Sequence, residues 1–253
     1  MMDKRWYRTF FAGITSEFWD ELAVPQMTEE EGAFILPLLK LSSDGIVLDA
    51  PSGSGRMAIW LGKKGFAVEG WDIYQTAVDK LETQAKKVKL PVSGFQMDLA
   101  EGQLPQNKYA GAVCLGNCFG YFDPTGMANF IRSVSESLLP GARWVINSGM
   151  AAESIFPNWQ DEDVFEAGNL RMNIENAYDG IDSYVETTMR FERLDSGEEE
   201  IRQMRHYVYT LKEMRLMFEK AGLGTLAIYG GTDGREFALG DEQLYWVVEK
   251  SGK

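Results

Sequence analysis

The sequence is short of the residues that build common metal and disulfide sites. Its 253 residues include one histidine, His206, and two cysteines, Cys114 and Cys118. The cysteines fall inside one segment, which argues against a disulfide staple, and with a single histidine they make a poor zinc site. The sequence therefore predicts reduced thiols and no metal.

Long apolar runs and an excess of basic residues are also missing. No run approaches the roughly 20 residues of a membrane-spanning helix, and residues 1–6 have no signal-peptide apolar core. We therefore expect a cytoplasmic protein without a membrane partner. Lysine and arginine number 25 against 38 acidic residues, a net charge of −13. This balance argues against a nucleic-acid partner, because phosphate contacts need clustered basic side chains.

Apolar runs that alternate with amphipathic helical patterns are abundant between residues 46 and 150. They predict five strands, at residues 46–48, 66–71, 93–97, 109–115 and 142–147. The strict alternation of strand and helix predicts an α/β protein with a Rossmann-like, doubly wound, mostly parallel sheet.

A different pattern follows that sheet. Residues 170–178, 183–193 and 200–209 predict strands joined by turns without intervening helices, a small antiparallel β insertion that acts as a lid. We therefore divide the chain into an N-terminal helical cap (1–45), a cofactor-binding core (46–150), the insertion (151–209), and a final helix with two last strands of the core (210–253). Capping-box patterns predict that helices begin after Thr28 and Thr210.

Three acidic residues follow three predicted strands. Asp49 ends the first strand, Asp72 the second and Asp98 the third. Ligands bind outside the carboxyl ends of strands in open α/β sheets, so these carboxylates are expected at one edge. Gly53 and Gly55 remove side chains where the first strand turns into a helix, which lets a ligand approach backbone N–H groups.

The spacing of these residues predicts a nucleotide-like ligand. Asp72 lies about 20 residues after Asp49, as expected for an acid that accepts hydrogen bonds from ribose hydroxyls. Asp98 could reach an adenine amino group. For Asp49 and Asp98 a plain helix N-cap remains the alternative.

These motifs resemble those of class I S-adenosylmethionine-dependent methyltransferases. Residues 48–56 are similar to that family's first motif, residues 70–73 to its ribose acid and residues 96–99 to its adenine site. Residues 114–121 resemble the fourth-strand motif of a bacterial small-molecule subgroup that includes sugar-amine N-methyltransferases. Further similarity to this subgroup lies at residues 147–157 and 206–222, so the resemblance covers most of the chain.

The resemblance implies a fold, a reaction and a set of roles. The sheet would have seven strands with an antiparallel last strand, residues 243–249. The chain, a monomer or homodimer, would move a methyl group from S-adenosylmethionine to a nitrogen or oxygen of a small molecule, leaving S-adenosylhomocysteine. The implied cofactor contacts are Pro51, Ser52 and Gly53 at the methionine part, Asp72 and Ile73 at ribose and adenine, Asp98 and Leu99 at the adenine edge, and Leu115, Gly116 and Asn117 at the sulfonium end.

One departure from the family pattern is Pro51, which stands where many members carry glycine. Proline has no N–H, so one backbone donor that is sometimes used there is missing. The N–H groups that follow it remain, and we expect binding to survive.

Residues that touch the methyl acceptor are harder to select. His206 could act as a general base, Glu153 could hold an ammonium group, and Tyr121 could contact acceptor or cofactor at the mouth of the site. The alternatives are a structural histidine, a capping acid and plain packing. Tyr7 and Trp19 could close over the cofactor, although aromatic residues at helical spacing also form cores. The acidic run 198–200 has its simplest explanation as a solvated turn.

Three other functions are compatible with a glycine loop on such a sheet. A nicotinamide-dependent oxidoreductase is disfavoured because the G-x-G-x-x-G pattern and any Tyr-x-x-x-Lys pair are absent from the sequence. A non-catalytic S-adenosylmethionine-binding module remains possible, although an elaborate lid would then be unexpected. A nucleic-acid methyltransferase is disfavoured by charge, and Asn117 is followed by Cys118 and Phe119 where a Pro-Pro-aromatic run would be expected.

Overall fold

The computed structural model describes residues 3–252, so Met1, Met2 and Lys253, at the ends of the predicted cap and final segment, lie outside it. In chain order the elements are a short 3-10 helix Trp6–Arg8, α1 Ile14–Leu22, α2 Pro25–Leu39, β1 Ile46–Asp49, α3 Arg56–Lys63, β2 Ala67–Asp72, α4 Gln75–Lys87, β3 Val92–Gln96, β4 Tyr109–Cys114, α5 Pro124–Ser137, β5 Leu138–Ser148, α6 Ala152–Ile155, β6 Glu162–Ala167, β7 Leu170–Asp179, β8 Tyr184–Arg193, β9 Glu198–Tyr207, α7 Leu211–Lys220, β10 Leu223–Tyr229 and β11 Leu244–Lys250.

The main sheet has seven strands in the order β10-β11-β5-β4-β1-β2-β3. β11 runs antiparallel to both of its neighbours, β10 and β5, whereas β1, β2, β3, β4 and β5 pair in parallel. The predicted fold class, including the antiparallel last strand, is confirmed. The carboxyl ends of β1, β2, β3 and β4 therefore meet at one edge of the sheet, where ligands bind in such folds.

Neighbouring residues of β1 show how the sheet is buried on both faces. Val47 packs with Ile35 of α2 and Met57 of α3, while Leu48 belongs to a separate cluster with Phe130 of α5. Successive side chains of a strand point to opposite faces, so an uninterrupted apolar strand is typical of a sheet covered on both sides.

A second sheet contains β6, β7, β8 and β9 in that order, all antiparallel. It lies within residues 151–209, where we predict an antiparallel insertion, but it has four strands where we predict three. β6 was missed because it is an exposed edge strand with three acidic residues, and only Ala167 of its six residues is buried. An edge strand without a buried face lacks the apolar alternation that identifies strands.

The two predicted capping boxes have different outcomes. Thr210 accepts a hydrogen bond from the Glu213 N–H at 3.2 Å and the Glu213 carboxylate accepts one from the Thr210 N–H at 2.8 Å, which confirms the second box. The first box is wrong, because α2 begins at Pro25, a turn before Thr28. Proline is favoured at a first helical position, since its fixed φ suits the helix and its missing N–H costs nothing there.

Two further observations concern residues 3–252. No helix in this range combines the length and apolar character that crossing a membrane requires. Nor do these residues contain a group of three or more His, Cys, Asp or Glu side chains placed to hold a metal ion.

Candidate active site

Asp72 ties the loop after β1 to the end of β2. Its side chain is buried, and its carboxylate accepts hydrogen bonds from the Gly53 N–H at 2.8 Å and the Tyr74 N–H at 2.9 Å. Burial raises the pKa of Asp72, while these backbone N–H groups lower it. The predicted ribose acid is thus held rigidly at the sheet edge, with further lone pairs on its oxygens.

The two glycines of the loop after β1 have different structural roles. Both adopt positive φ, 53° at Gly53 and 88° at Gly55. A Cβ added at Gly53 would meet nothing within 4 Å, whereas one at Gly55 would lie 2.2 Å from a methyl carbon of Leu81. Gly53 therefore leaves open space beside the N–H that Asp72 fixes, while Gly55 permits α3 to pack closely on α4.

Asp49 is turned toward helix α3. Its carboxylate accepts a hydrogen bond from the Ala58 N–H at 3.0 Å, in the first turn of α3, and only 3% of the residue is exposed. Burial raises the pKa of Asp49 to about 7, partly offset by the nearby Arg56 charge. Asp49 is not the N-cap residue of α3, which is Gly55, but from the end of β1 it satisfies an N–H of the first helical turn.

Asp98 is surrounded by donors, and one of them, Arg8, is not among the site residues predicted from the sequence. The Ala100 N–H and the Tyr7 hydroxyl lie 3.0 and 3.5 Å from one carboxylate oxygen, and the Arg8 guanidinium pairs with the other, with its Nε at 2.8 Å. Arg8 carries no sequence signal, because it lies 90 residues from Asp98 in an aromatic stretch. Leu99 buries its side chain in the core, so only its backbone could face a ligand.

The loop after β4 contains a second glycine with open space beside it. Gly116 and Asn117 have successive positive φ values of 76° and 60°, and a Cβ at Gly116 would meet nothing within 4 Å. The Asn117 side-chain oxygen accepts a hydrogen bond from the Gly149 N–H at 2.8 Å. The backbone N–H of Asn117 donates to the Asn147 side-chain oxygen at 3.3 Å. Leu115 is buried beneath this turn, so the loop is anchored below and open at Gly116.

Residues 5–22, which we call the N-terminal strap, pass over this edge. The Tyr74 hydroxyl donates to the Tyr7 carbonyl at 2.6 Å and accepts from the Phe11 N–H at 3.0 Å. Asp20 accepts from the Ser54 hydroxyl at 3.0 Å and pairs with Lys80 at 2.6 Å. The strap is therefore attached beside both the ribose acid and the glycine loop, and Tyr7 reaches the predicted cofactor region.

The second sheet holds the other side of the strap. The Glu200 carboxylate accepts hydrogen bonds from the Ile14 N–H at 3.2 Å and the Thr15 hydroxyl at 2.9 Å, at the first turn of α1. The expectation that residues 198–200 form a solvated turn is wrong for Glu200, because this strand residue caps α1 from β9. Phe18 of α1 packs on Phe191 of β8 with ring centroids 5.6 Å apart.

His206, near the end of β9, packs against the loop after β4. Its Nε2 is 2.6 Å from the Phe119 carbonyl oxygen, and the residue is 2% exposed. Because a carbonyl only accepts, Nε2 carries the proton. Burial lowers the pKa of His206 to about 4. A neutral imidazole that holds the loop after β4 fits the structural alternative better than a general base.

The other two predicted catalytic residues lie in different places. Tyr121 joins an aromatic group with Trp6 and His206, at centroid distances of 5.1 and 5.0 Å, and with Phe11 at 6.1 Å. It remains partly exposed in the loop after β4. Glu153 accepts a hydrogen bond from the Leu211 N–H at 3.0 Å, at the start of α7, so the capping alternative describes it.

The buried His206 predicts a specific pH dependence of stability. Between pH about 4 and 6.5 the unfolded chain binds a proton at this position that the folded chain excludes. The free energy of unfolding therefore rises with pH across this window, and this added stability is lost as the pH falls. His206→Gln keeps an N–H donor without a titratable group. Urea unfolding gives the free energy of unfolding of both proteins. The wild-type value minus that of His206→Gln should fall by about 3 kcal/mol from pH 7 to pH 4. Parallel pH profiles would contradict the assignment.

Known proteins share the core and the fold. Residues 47–141 match the family model for a methyltransferase domain. A search of curated proteins gives no match.

Among solved structures, the CcbJ methyltransferase of Streptomyces caelestis is 17% identical, with 99% of this chain and 100% of that chain covered and a TM-score of 0.81. CalS10, an amino pentose methyltransferase of Micromonospora echinaspora solved with S-adenosylmethionine bound, is 16% identical over 97% and 94%, with a TM-score of 0.66. The Burkholderia thailandensis 1,6-didemethyltoxoflavin-N1-methyltransferase, solved with that compound and S-adenosylhomocysteine, is 15% identical over 98% and 88%, with a TM-score of 0.58.

The TM-scores, over nearly the whole chain, establish a shared fold. The domain match covers the glycine loop, Asp72, Asp98 and Gly116. Residues 47–141 match a methyltransferase domain, and the whole chain has the fold of S-adenosylmethionine-dependent methyltransferases. The predicted resemblance is confirmed, and the neighbour CalS10 was solved with S-adenosylmethionine bound.

Proposed function

We propose that this chain is an enzyme that transfers the methyl group of S-adenosylmethionine to a nitrogen, or an oxygen, of a small molecule. The observation that carries the proposal is the pair of open glycine positions, Gly53 and Gly116, on either side of the carboxyl edge that holds Asp72. Both are places where an added Cβ would meet open space, as a cradle for a bound ligand requires.

The residues present fit this cofactor. Asp72 would accept hydrogen bonds from the ribose hydroxyls, and Ile73, partly exposed beside it, would pack on the adenine. Pro51, Ser52 and Gly53 would border the methionine part, and Gly116 and Asn117 the sulfonium end. The cofactor supplies an electrophilic methyl group on a positively charged sulfur.

The protein's contribution to the reaction is mainly alignment and exclusion of water. The N-terminal strap and the second sheet enclose the edge from two sides, which would hold an acceptor in line with the methyl group. A neutral amine needs little more than this alignment, desolvation and a route for its proton. The low pKa of His206, set by burial, makes it a weak base, so an amine acceptor fits this site better than a hydroxyl that needs a base.

Support for a small nitrogen-containing acceptor also comes from the neighbours. CalS10 is described as an amino pentose methyltransferase and the Burkholderia thailandensis protein as an N1-methyltransferase.

The proposal includes a cytoplasmic monomer or homodimer that does not bind nucleic acid, in line with the charge of −13. No observation favours the nicotinamide oxidoreductase or the non-catalytic binding module.

Two measurements test the proposal. S-adenosylhomocysteine at about 100 times its dissociation constant should stabilise the fold by about 2.7 kcal/mol through mass action, seen as a raised melting temperature. NADH at the same concentration should have a smaller effect, and the reverse order would overturn the assignment.

A homocysteine-release screen over amines, amino sugars, amino acids and phenols would then identify the acceptor. Binding without turnover of any compound would favour the binding module.

A further inference from the structure

A pocket of about 340 Å³ lies at the carboxyl ends of β2 and β3. It is lined by Arg8, Ile73, Gln96, Met97 and Asp98. On the proposed function, on which this inference rests, the adenine of the cofactor would occupy it. Four of these residues belong to the sheet edge, whereas Arg8 comes from the N-terminal strap.

The hydrogen-bonding capacity of Asp98 is already used. An ionised carboxylate offers about four lone-pair sites. The Ala100 N–H and the Tyr7 hydroxyl approach one oxygen, at 3.0 and 3.5 Å, and the Arg8 Nε and one terminal guanidinium nitrogen approach the other, with the Nε at 2.8 Å. An adenine amino group would therefore have to compete for Asp98 with these donors, of which the Tyr7 hydroxyl is the most distant.

The contacts of Arg8 with acids use its guanidinium nitrogens. Asp98 pairs with the Nε and a terminal nitrogen, and Glu101 pairs with the terminal nitrogen at 3.0 Å. Arginine–carboxylate pairs usually form in the plane of the guanidinium, and this geometry leaves its two faces for stacking. The Arg8 side chain is 34% exposed, and the other walls include the apolar Ile73 and Met97. A planar cation beside apolar walls suits an aromatic ring, which it attracts through a cation–π interaction.

We propose that Arg8 stacks on the adenine of the cofactor and that Asp98 positions Arg8, without itself accepting a hydrogen bond from adenine. Since Arg8 belongs to the strap, cofactor binding and docking of the strap are then coupled. This differs from the role of Asp98 that the family resemblance implies.

The test compares two probes on five proteins by calorimetric titration. The probes are S-adenosylhomocysteine and its analogue without the 6-amino group. The proteins are the wild type, Arg8→Gln, Asp98→Asn, the double variant and Arg5→Gln. Asn at position 98 keeps an oxygen for the Ala100 N–H but no longer attracts Arg8. Arg5 is the matched control, because it pairs with Glu101 at 2.6 Å and does not line the pocket.

The expected pattern is specific. Arg8→Gln and Asp98→Asn should each weaken S-adenosylhomocysteine binding roughly 10-fold, the size of a desolvated cation–π contact, and the double variant should be no weaker than the singles. The wild type should bind both probes within about twofold, since no acceptor reads the amino group on this proposal. Arg5→Gln should bind like the wild type.

Other outcomes would overturn the inference. A wild-type preference for S-adenosylhomocysteine that disappears in Asp98→Asn would show that Asp98 binds the amino group itself. Additive losses in the double variant would show that the two residues act separately, and unchanged affinity in Arg8→Gln would remove Arg8 from the site. A wild type that binds neither probe would instead contradict the proposed function, so the two failures are distinguishable.

Discussion

Gly55→Ala is expected to destabilise the fold by about 3 kcal/mol. Positive φ costs a residue with a Cβ about 1–2 kcal/mol, and forcing a methyl group into a packed core costs about 1–3 kcal/mol. At Gly55, φ is 88° and the new Cβ would lie 2.2 Å from a Leu81 carbon. Urea unfolding followed by circular dichroism measures the loss directly.

Two other glycines provide matched controls for this prediction. Gly65 has a φ of 97° and Gly53 a φ of 53°, and an added Cβ would meet nothing within 4 Å at either position. Gly65→Ala and Gly53→Ala should therefore show only the smaller backbone cost. Gly53→Ala should in addition weaken S-adenosylhomocysteine binding, because its methyl group enters the ligand space. A Gly55→Ala loss no larger than that of Gly65→Ala would contradict the packing role of Gly55.

Asp72→Ala is expected to weaken S-adenosylhomocysteine binding roughly 30-fold, within the about 1.5–3 kcal/mol that hydrogen bonds to a charged group contribute. The substitution removes the ribose acceptor and also releases the Gly53 and Tyr74 N–H groups, now bound at 2.8 and 2.9 Å. The loop that would face the methionine part loses its anchor at the same time. Calorimetric titration gives the dissociation constant.

Asp79→Ala is the control for this experiment. Asp79 is also an acid near the start of α4, but it is exposed, and within residues 3–252 its side chain bonds only to Gln75, at 2.7 Å. Its removal should leave both affinity and stability nearly unchanged. If Asp72→Ala stays folded and binds S-adenosylhomocysteine like the wild type, the ribose acid has been assigned to the wrong residue.

Local patterns in the sequence predicted much of the core. Strand-ending acids, a glycine loop and the Thr210 capping box depend on residues a few positions apart, so each leaves a readable signal. Asp72 meets Gly53 because their strands are neighbours in a fold whose topology the alternation of strand and helix already predicts. Local patterns do not predict β6, because its exposure removes the apolar alternation. They also misplace the start of α2 at Thr28, because Pro25 starts the helix earlier.

The acceptor side of the site shows where local patterns end. His206 sits on a strand that sequence alone leaves open to catalysis or structure, and only its contact with the Phe119 carbonyl at 2.6 Å favours structure. Glu153 and Glu200 likewise acquire partners 58 and 186 residues away, in Leu211 and Ile14. These contacts depend on how the second sheet and the strap dock, which no short segment encodes.

The sequence by itself determined the class of fold and the sheet edge at which the strand-ending acids meet, and it predicted Asp72 as the ribose acid there. These follow from periodicity, glycine positions and the ends of strands, which are local properties of the chain. Only the tertiary structure decided which donors each acid meets. Asp49 accepts a hydrogen bond from α3, Asp98 from Arg8, and Glu200 from α1. A carboxylate's role depends on the donors that surround it, and most of these donors come from distant parts of the chain.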